Sequence, residues 1–234
     1  MKLIVTITLF LAVSFGYSQN TICIYKVKKN ETLKVDDTAS EVAKSANKLI
    51  NRALGFVDQL EYVLIYNNKE STFKLKETLT GGSEKDFKLA KLAAVMTSHG
   101  KYYQNLSEDL TLRQFEVYGQ EFLVNEPLNI DWETTNIKKT VGKYTYYKAI
   151  NKCKSCSNSN ITEVWYTPQI AIPFGPKGFG GLPGLIVEVK MKAVTLYLDK
   201  IVKNQIVKIK RPLTGKSVTL KEYEKIAKKL RPTR

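Results

Sequence analysis

Tyr62-Val63-Leu64-Ile65-Tyr66, then Asn67-Asn68, then Ser71-Thr72-Phe73-Lys74-Leu75 is the segment that most clearly marks the chain as β-rich. Branched and aromatic side chains fill both arms at a period near two, and the asparagine pair between them is turn chemistry, so the stretch predicts a β-hairpin. Toward the N-terminus, Thr21 to Lys28 packs Ile22, Ile24, Tyr25 and Val27 into a short run and predicts a further strand. Between the two, Asp36-Asp37-Thr38 offers capping oxygens, and Val42, Ala46, Leu49, Ala53 and Val57 recur at helical spacing. Ala43, Ile50 and Leu54 widen that stripe, which predicts one long helix from Ala39 to Val57 with a core-facing side.

Toward the C-terminus, Thr80-Gly81-Gly82-Ser83 predicts a turn, and Phe87 to Met96 leaves a short helix and a mobile segment both open. Strand-like runs follow at Lys101 to Leu106, Thr111 to Tyr118, Glu121 to Val124, Thr140 to Ile150 and Ile161 to Thr167. A parallel sheet would need crossover helices between such runs, so they predict an antiparallel meander. No internal repeat or low-complexity linker divides the chain. The expected architecture is mainly β (α+β): a curled antiparallel meander sheet packed on one long N-terminal helix, as a single domain over 19–234, with a basic C-terminal helix over 216–234.

A hydrophobic fraction of 43% in 234 residues is enough for a real core, and 37 Lys and Arg against 22 Asp and Glu leave a net charge of +15. The sole histidine, His99, rules out a multi-histidine zinc centre or a paired-histidine mechanism. Within Thr97-Ser98-His99-Gly100 it reads as a surface-turn residue, with a base beside Ser98 as the sharper alternative. Glu163 and Glu188 would suit glycoside chemistry only if their carboxyls stood roughly 5 to 10 Å apart around a cleft. No catalytic residue, metal or cofactor is assigned.

Residues 1 to 18 read as an export leader: Lys2, an apolar run from Leu3 to Phe15, then Gly16-Tyr17-Ser18 at the cleavage subsites. The mature chain is expected to begin near Gln19, to be periplasmic or secreted, and not to span a membrane. In an oxidising compartment Cys153 and Cys156, spaced C-x-x-C in a Ser/Asn-rich loop, predict a local disulfide. A redox dithiol and a thiolate metal site recruiting Cys23 remain open.

From Ile172 to Ile186 lie five of the 13 glycines and three of the 7 prolines of the chain. Proline fixes φ and glycine permits close backbone approach, so the stretch predicts a loop of fixed shape anchored by Phe174, Phe179 and Leu182. Freed amides and aromatic faces make Trp165, Tyr166, Phe174, Lys177 and Phe179 the candidate site for a peptide, glycan or small ligand. The alternative is a loop that closes one end of the sheet. A phosphate cradle is excluded because a strand from Leu185 to Val189 follows rather than a helix.

From Lys203 onward eleven basic residues meet two glutamates, nine of the net +15. Thr219 and Glu222 predict a capping box, and Leu220, Tyr223, Ile226, Ala227 and Leu230 an amphipathic helix. Its basic face carries Lys221, Lys225, Lys228, Lys229 and Arg231, which suits anionic lipid, lipopolysaccharide or an acidic protein, or is a solvated face and nothing more. Nucleic acid is not an expected partner for an exported chain.

The hexapeptide Gly181-Leu182-Pro183-Gly184-Leu185-Ile186 resembles the GLPGLI family of exported proteins from Bacteroidota-type bacteria. The likeness extends to the Tyr62 hairpin, Arg113-Gln114-Phe115, Gly119 to Leu123, Trp132, Thr140 to Tyr144, Tyr147 to Ala149 and Trp165 to Pro168, over roughly residues 20 to 202. It implies export and a β-rich fold, and brings no activity, cofactor or catalytic residue. This chain departs from the family pattern at Tyr146, where relatives often have cysteine, and in the Cys153 to Asn160 insertion. The functional expectation is a non-enzymatic cell-envelope binding or accessory protein of unknown partner. A carrier of lipid or another apolar ligand and a carboxylate-based hydrolase are the alternatives.

Overall fold

β1 (Asn20–Lys29) is followed by α1 (Glu41–Ala53), the hairpin β2 (Glu61–Tyr66) and β3 (Glu70–Leu75), then α2 (Glu84–Thr97). Next come β4 (Lys101–Asn105), β5 (Leu110–Val117), β6 (Gln120–Asn125), β7 (Trp132–Val141), β8 (Tyr144–Asn151) and β9 (Ile161–Thr167). The chain closes with β10 (Leu185–Met191), β11 (Val194–Gln205), β12 (Lys216–Thr219) and α3 (Leu220–Leu230). This computed structural model describes residues 20–230 apart from 31, 35, 37, 77–81, 126–129 and 153–160. The expected leader 1–18, the Cys153 and Cys156 pair and Arg231 lie outside the described residues.

Among the described residues the strands form one open sheet of 12 in the order β12-β6-β5-β4-β3-β2-β1-β11-β10-β9-β8-β7. The meander expectation needs two corrections: β12 returns across the sheet and pairs parallel with β6, so the sheet is mixed, and β1 to β6 and β7 to β11 are two antiparallel meanders joined where β1 pairs with β11. The hairpin closes as its sequence predicts, with the Asn67 side chain accepting from the N–H groups of Lys69 and Glu70, each at 2.9 Å.

The single long N-terminal helix also needs correcting. α1 is capped by Ser40, whose hydroxyl accepts from the Ala43 N–H, and it tightens after Ala53 into a 3-10 turn over Leu54–Gln59 that contains Gly55. Its apolar stripe is not the core face, since Val42 is 75% and Leu49 48% exposed; burial begins at Ala53, Leu54 and Val57. The stretch left open in the sequence is a second helix of similar length, α2, closed at its start by a capping box between Ser83 and Asp86.

One face of the sheet, the inner face, carries the core. Cys23, Tyr25 and Val27 of β1 are buried there beside Tyr62, Leu64 and Phe73. Tyr62 stacks on Phe73 at 5.4 Å and donates its hydroxyl to the Ala94 carbonyl of α2. The Gly/Pro loop crosses this face as well. Phe174 sits 6.4 Å from the Tyr66 ring, Gln104 donates to the Gly178 carbonyl at 2.8 Å, and Lys177 Nζ donates to the Thr97 carbonyl at the end of α2. Trp132 of the far edge strand donates to the Gly180 carbonyl.

The outer face is organised by the link from β11 to β12. Residues 206–215 must pass seven strand spacings, about 34 Å along a flat sheet. Eleven Cα steps at about 3.3 Å each reach about 36 Å, so the link runs nearly extended as a strap. Asn20 donates to the Val207 carbonyl, Lys101 to that of Lys210 and Gln114 to Thr214, while Arg211 pairs with Glu108 at 2.8 Å. Pro212 of the strap is itself buried. So is the register row Ile65, Thr72, Tyr103 and Leu112 on the same face.

Gly184 is the tightest point of the Gly/Pro loop, where an added Cβ would stand 2.2 Å from the Thr167 carbonyl oxygen. Gly184→Ala is therefore expected to cost about 2 kcal/mol or more, lowering Tm by several degrees, whereas Gly55→Ala, with nothing within 4 Å, leaves it unchanged or raised. Thermal unfolding of both variants checks this; equal Tm values would remove the loop from the folding core.

Candidate functional site

The most distinctive local feature is a break in the sheet. β10 and β11 pair only over Glu188–Lys190 with Thr195–Tyr197. β10 then shifts register against β9 between Ile186 and Glu188 and bends away, while β11 continues along β1 to Gln205. The Ile186 groups that would have faced β11 find other partners: its N–H donates to Phe174 O at 2.9 Å, and its carbonyl accepts the buried Tyr25 hydroxyl at 2.6 Å.

A cleft of about 590 Å³ opens beside the diverging strands, between Ile201 and Lys203 of β11 and the turn carrying Gln169, Ile170 and Ile172, with Tyr66 and the hairpin turn Asn67-Asn68-Lys69 alongside. A second hollow of about 390 Å³ shares Ile201 with it and is bounded by Tyr144, Tyr146, Leu198, Asp199 and the β7–β8 turn. Gln169 is fixed at the mouth, accepting from the Thr145 N–H at 2.6 Å and donating to the Lys143 carbonyl. Lys143 Nζ lies 5.5 Å from the Tyr144 ring.

Beneath the cleft the Tyr66 hydroxyl hydrogen-bonds with Thr21 and Cys23. Burial pushes the Cys23 thiol up to about 12, only partly offset by the Tyr66 contact. Burial likewise raises Tyr25, Tyr66 and Tyr146, with smaller contributions from Cys23 to all three, from Tyr66 and Tyr146 to Tyr25, from Tyr144 to Tyr66, and from Glu188 and Tyr144 to Tyr146. Raised in this way, these groups hold their protons and serve as hydrogen-bond donors and acceptors.

On the outer face of β7 to β10 an ionic row runs from strand to strand. Lys139 pairs with Glu188 at 2.7 Å, Lys148 with Glu163 at 2.6 Å and Lys190 with Glu163 at 3.7 Å, and Lys139 Nζ sits 4.1 Å from the Trp165 ring centroid. The register sets Glu188 opposite Trp165 and Glu163 opposite Lys190, so the two carboxylates share a face, as a hydrolase would require. Both are held by lysines. Burial alone would raise Glu163, but the hydrogen bond and charge of Lys148, with Lys190 and Trp165, leave it below its usual range. A carboxyl held ionised in this way is unsuited to proton donation.

Of the sequence candidates, Phe174 and Phe179 are fully buried, and Trp165 and Tyr166 are nearly so. Lys177 is half-buried and spends its ammonium group on α2. In the hexapeptide, Gly181 and Pro183 are exposed while Leu182, Gly184, Leu185 and Ile186 are buried. His99 is not a surface-turn residue: it lies half-buried 5.1 Å from Phe115, and burial and then Arg113 lower its pKa. Lys221, Lys225, Lys228 and Lys229 are exposed on α3, whose Leu220, Tyr223 and Ile226 pack on Phe115, Phe122 and Val124. The cleft was not legible in the sequence; in the structure it follows from β11 having 12 residues and its neighbour β10 only 7. Among the described residues no group of three or more His, Cys, Asp and Glu is placed to hold a metal, and no helix is long and apolar enough to cross a membrane.

Residues 151–188 match the family described as a protein of unknown function, Porph_ging. No curated protein matches the chain. Among solved structures the chain is similar to "Structure of PNGF-II in C2 space group", with 14% identity, a TM-score of 0.54, and 90% of this chain and 33% of that one covered. It is also similar to "Structure of PNGF-II in P21 space group", with 14% identity, a TM-score of 0.52, and 89% and 33% covered. The chain thus spans about a third of the length of those proteins, and the likeness is one of fold alone.

The ionic row gives a pH signature. Glu163 stabilises the fold above its unfolded pKa near 4.5, and this contribution is lost as pH falls through its lower folded value. Urea unfolding from pH 7 down to pH 3 is expected to show stability declining below about 4.5, and Glu163→Gln to flatten part of that decline. An unchanged slope in the variant would mean that the row carries no stability.

Proposed function

We propose that this chain is an exported, non-enzymatic binding protein of the cell envelope, of the GLPGLI kind, and that its ligand occupies the cleft beside β11. The family reading is supported by the position of the hexapeptide inside the matched segment 151–188. The observation that carries the binding reading is the opening of the β10–β11 ladder into a cleft of about 590 Å³, within the range of ligand sites. The amides of Asn67 and Gln169, Tyr66 and the side chains of Ile170, Ile172 and Ile201 line it, together with Lys69 and Lys203. Such a lining recognises a polar, acidic ligand by shape and hydrogen bonds and leaves it chemically unchanged.

The carrier alternative has less support, because the inner face of the sheet is filled by Tyr25, Tyr62, Phe73, Phe174, Phe179 and their neighbours rather than left as an apolar hollow. A second binding surface is favoured by α3. Its apolar side is docked on β5 and β6 while four lysines stand exposed, an arrangement suited to anionic lipid or lipopolysaccharide.

The two surfaces separate by mutation. A fluorescent ten-residue oligomer of L-glutamate is expected to bind the wild type and to lose about tenfold or more in affinity for Lys69→Glu/Lys203→Glu. Phosphatidylglycerol vesicles are expected to lose binding only when Lys221, Lys225, Lys228 and Lys229 are all changed to Glu. Undiminished oligomer binding by the Lys69/Lys203 variant would move the site away from the cleft.

A further inference from the structure

We infer that the cleft takes an extended acidic peptide by strand addition to the open edge of β11. This rests on the cleft being the binding site and names the class of its ligand.

β11 is paired with β1 along its whole length, from Lys29 opposite Val194 to Asn20 opposite Gln205. On its other side the partner stops at Tyr197, and among the described residues no strand lies against positions 198–205. That edge presents N–H and C=O groups that have no backbone partner among the described residues, the Lys203 carbonyl taking the Gln205 side-chain amide at 2.9 Å, and this is the arrangement an added strand completes. The two outer edges of the sheet are guarded differently. β12 is only 4 residues long, and β7 carries a register shift between Thr134 and Lys138 beside two lysines. The inner edge of β11 is guarded by charge alone, through Asp199, Lys200 and Lys203.

The chemistry of the walls selects the peptide. Ile201 stands across from Ile170 and Ile172, giving apolar contact for alternate side chains of an extended chain. Asp199 is neutralised by Lys26 at 3.2 Å. Lys69, Lys200 and Lys203 have no carboxylate partner among the described residues, and Lys143 lies over Tyr144 on the opposite wall. A strand entering here meets cations on both sides and no free carboxylate, so glutamate or aspartate at alternate positions is the complementary pattern.

The test uses the full chain and three eight-residue peptides: alternating Thr and Glu, the same peptide N-methylated throughout, and alternating Thr and Lys. The Thr-Glu peptide is expected to slow amide exchange within 198–205, and the other two to bind about tenfold or more weakly, because one lacks backbone donors and the other has the wrong charge. Lys200→Glu/Lys203→Glu is expected to weaken the Thr-Glu peptide to the same degree while keeping the wild-type Tm. Equal binding of the N-methylated peptide would overturn strand addition while leaving cleft binding intact. Protection at β7 or β12 instead of 198–205 would overturn the assignment of the edge. Failure of the Thr-Glu peptide to bind while the glutamate oligomer still binds through Lys69 and Lys203 would overturn the inference alone; failure of both would overturn the cleft as well.

Discussion

Gly178 lies against Tyr102 and Thr111, Gly175 against Ile186, and Gly184 against the Thr167 carbonyl, each closer than a side chain would allow without movement. This approach of an irregular backbone to the inner face of the sheet shapes both the core and the cleft. Helices cover only part of that face, through α2 and the end of α1, and the loop from Ile172 to Gly184 fills the remainder with Phe174, Phe179 and Leu182. A sheet face left uncovered would expose Tyr66, Tyr102 and Phe73 to water, so the loop performs the work that a third helix performs in ordinary two-layer folds. Gly178 takes a left-handed backbone there, at φ +73, as does Gly181 at φ +83, and the Gly178 carbonyl takes the Gln104 amide.

The same seating creates the cleft. Leu185 donates to Ile170 and Ile186 donates to Phe174, so the first residues of β10 are tied to the loop and not to β11. β11, held by β1 on its other side, runs straight on. Two strands that begin as neighbours at Glu188 and Tyr197 therefore part, and the Tyr25 hydroxyl satisfies the Ile186 carbonyl that the parting leaves unpaired. Packing on one face thus dictates an open strand edge, and the open edge dictates what kind of ligand fits.

The strands of the Tyr62 hairpin, β4 to β6, β9 and the start of β10 were legible because alternation and turn chemistry agree in those stretches. β7 and β11 were not, because Trp132–Val141 and Val194–Gln205 mix charges into both faces: their burial depends on neighbours distant in sequence. β12 is only 4 residues and parallel, and its place depends on the strap rather than on its own pattern. The α1 stripe misled for a related reason, since amphipathicity reports a preference for burial and the chain supplies α1 with little to bury against beyond its last turn. The rigid Gly/Pro loop and its aromatic anchors were visible from composition. That those anchors point into the core, and that the opening lies beside β11, follow from pairing between residues far apart in the chain, which local sequence does not encode.

Charge follows the same division. The basic excess seen in composition is spread between α3 and the rim of the cleft, while the lysines on the outer face of β7 to β10 are consumed by Glu163 and Glu188. The Gly/Pro loop is a layer of the core and not a surface appendage. Native-state hydrogen exchange at the amides of Phe179, Leu185 and Ile186 tests this. These amides are expected to open only with global unfolding, at the same free energy as those of β1 and β2. Opening at about 2 kcal/mol or more below the global value, with the sheet still closed, would contradict it.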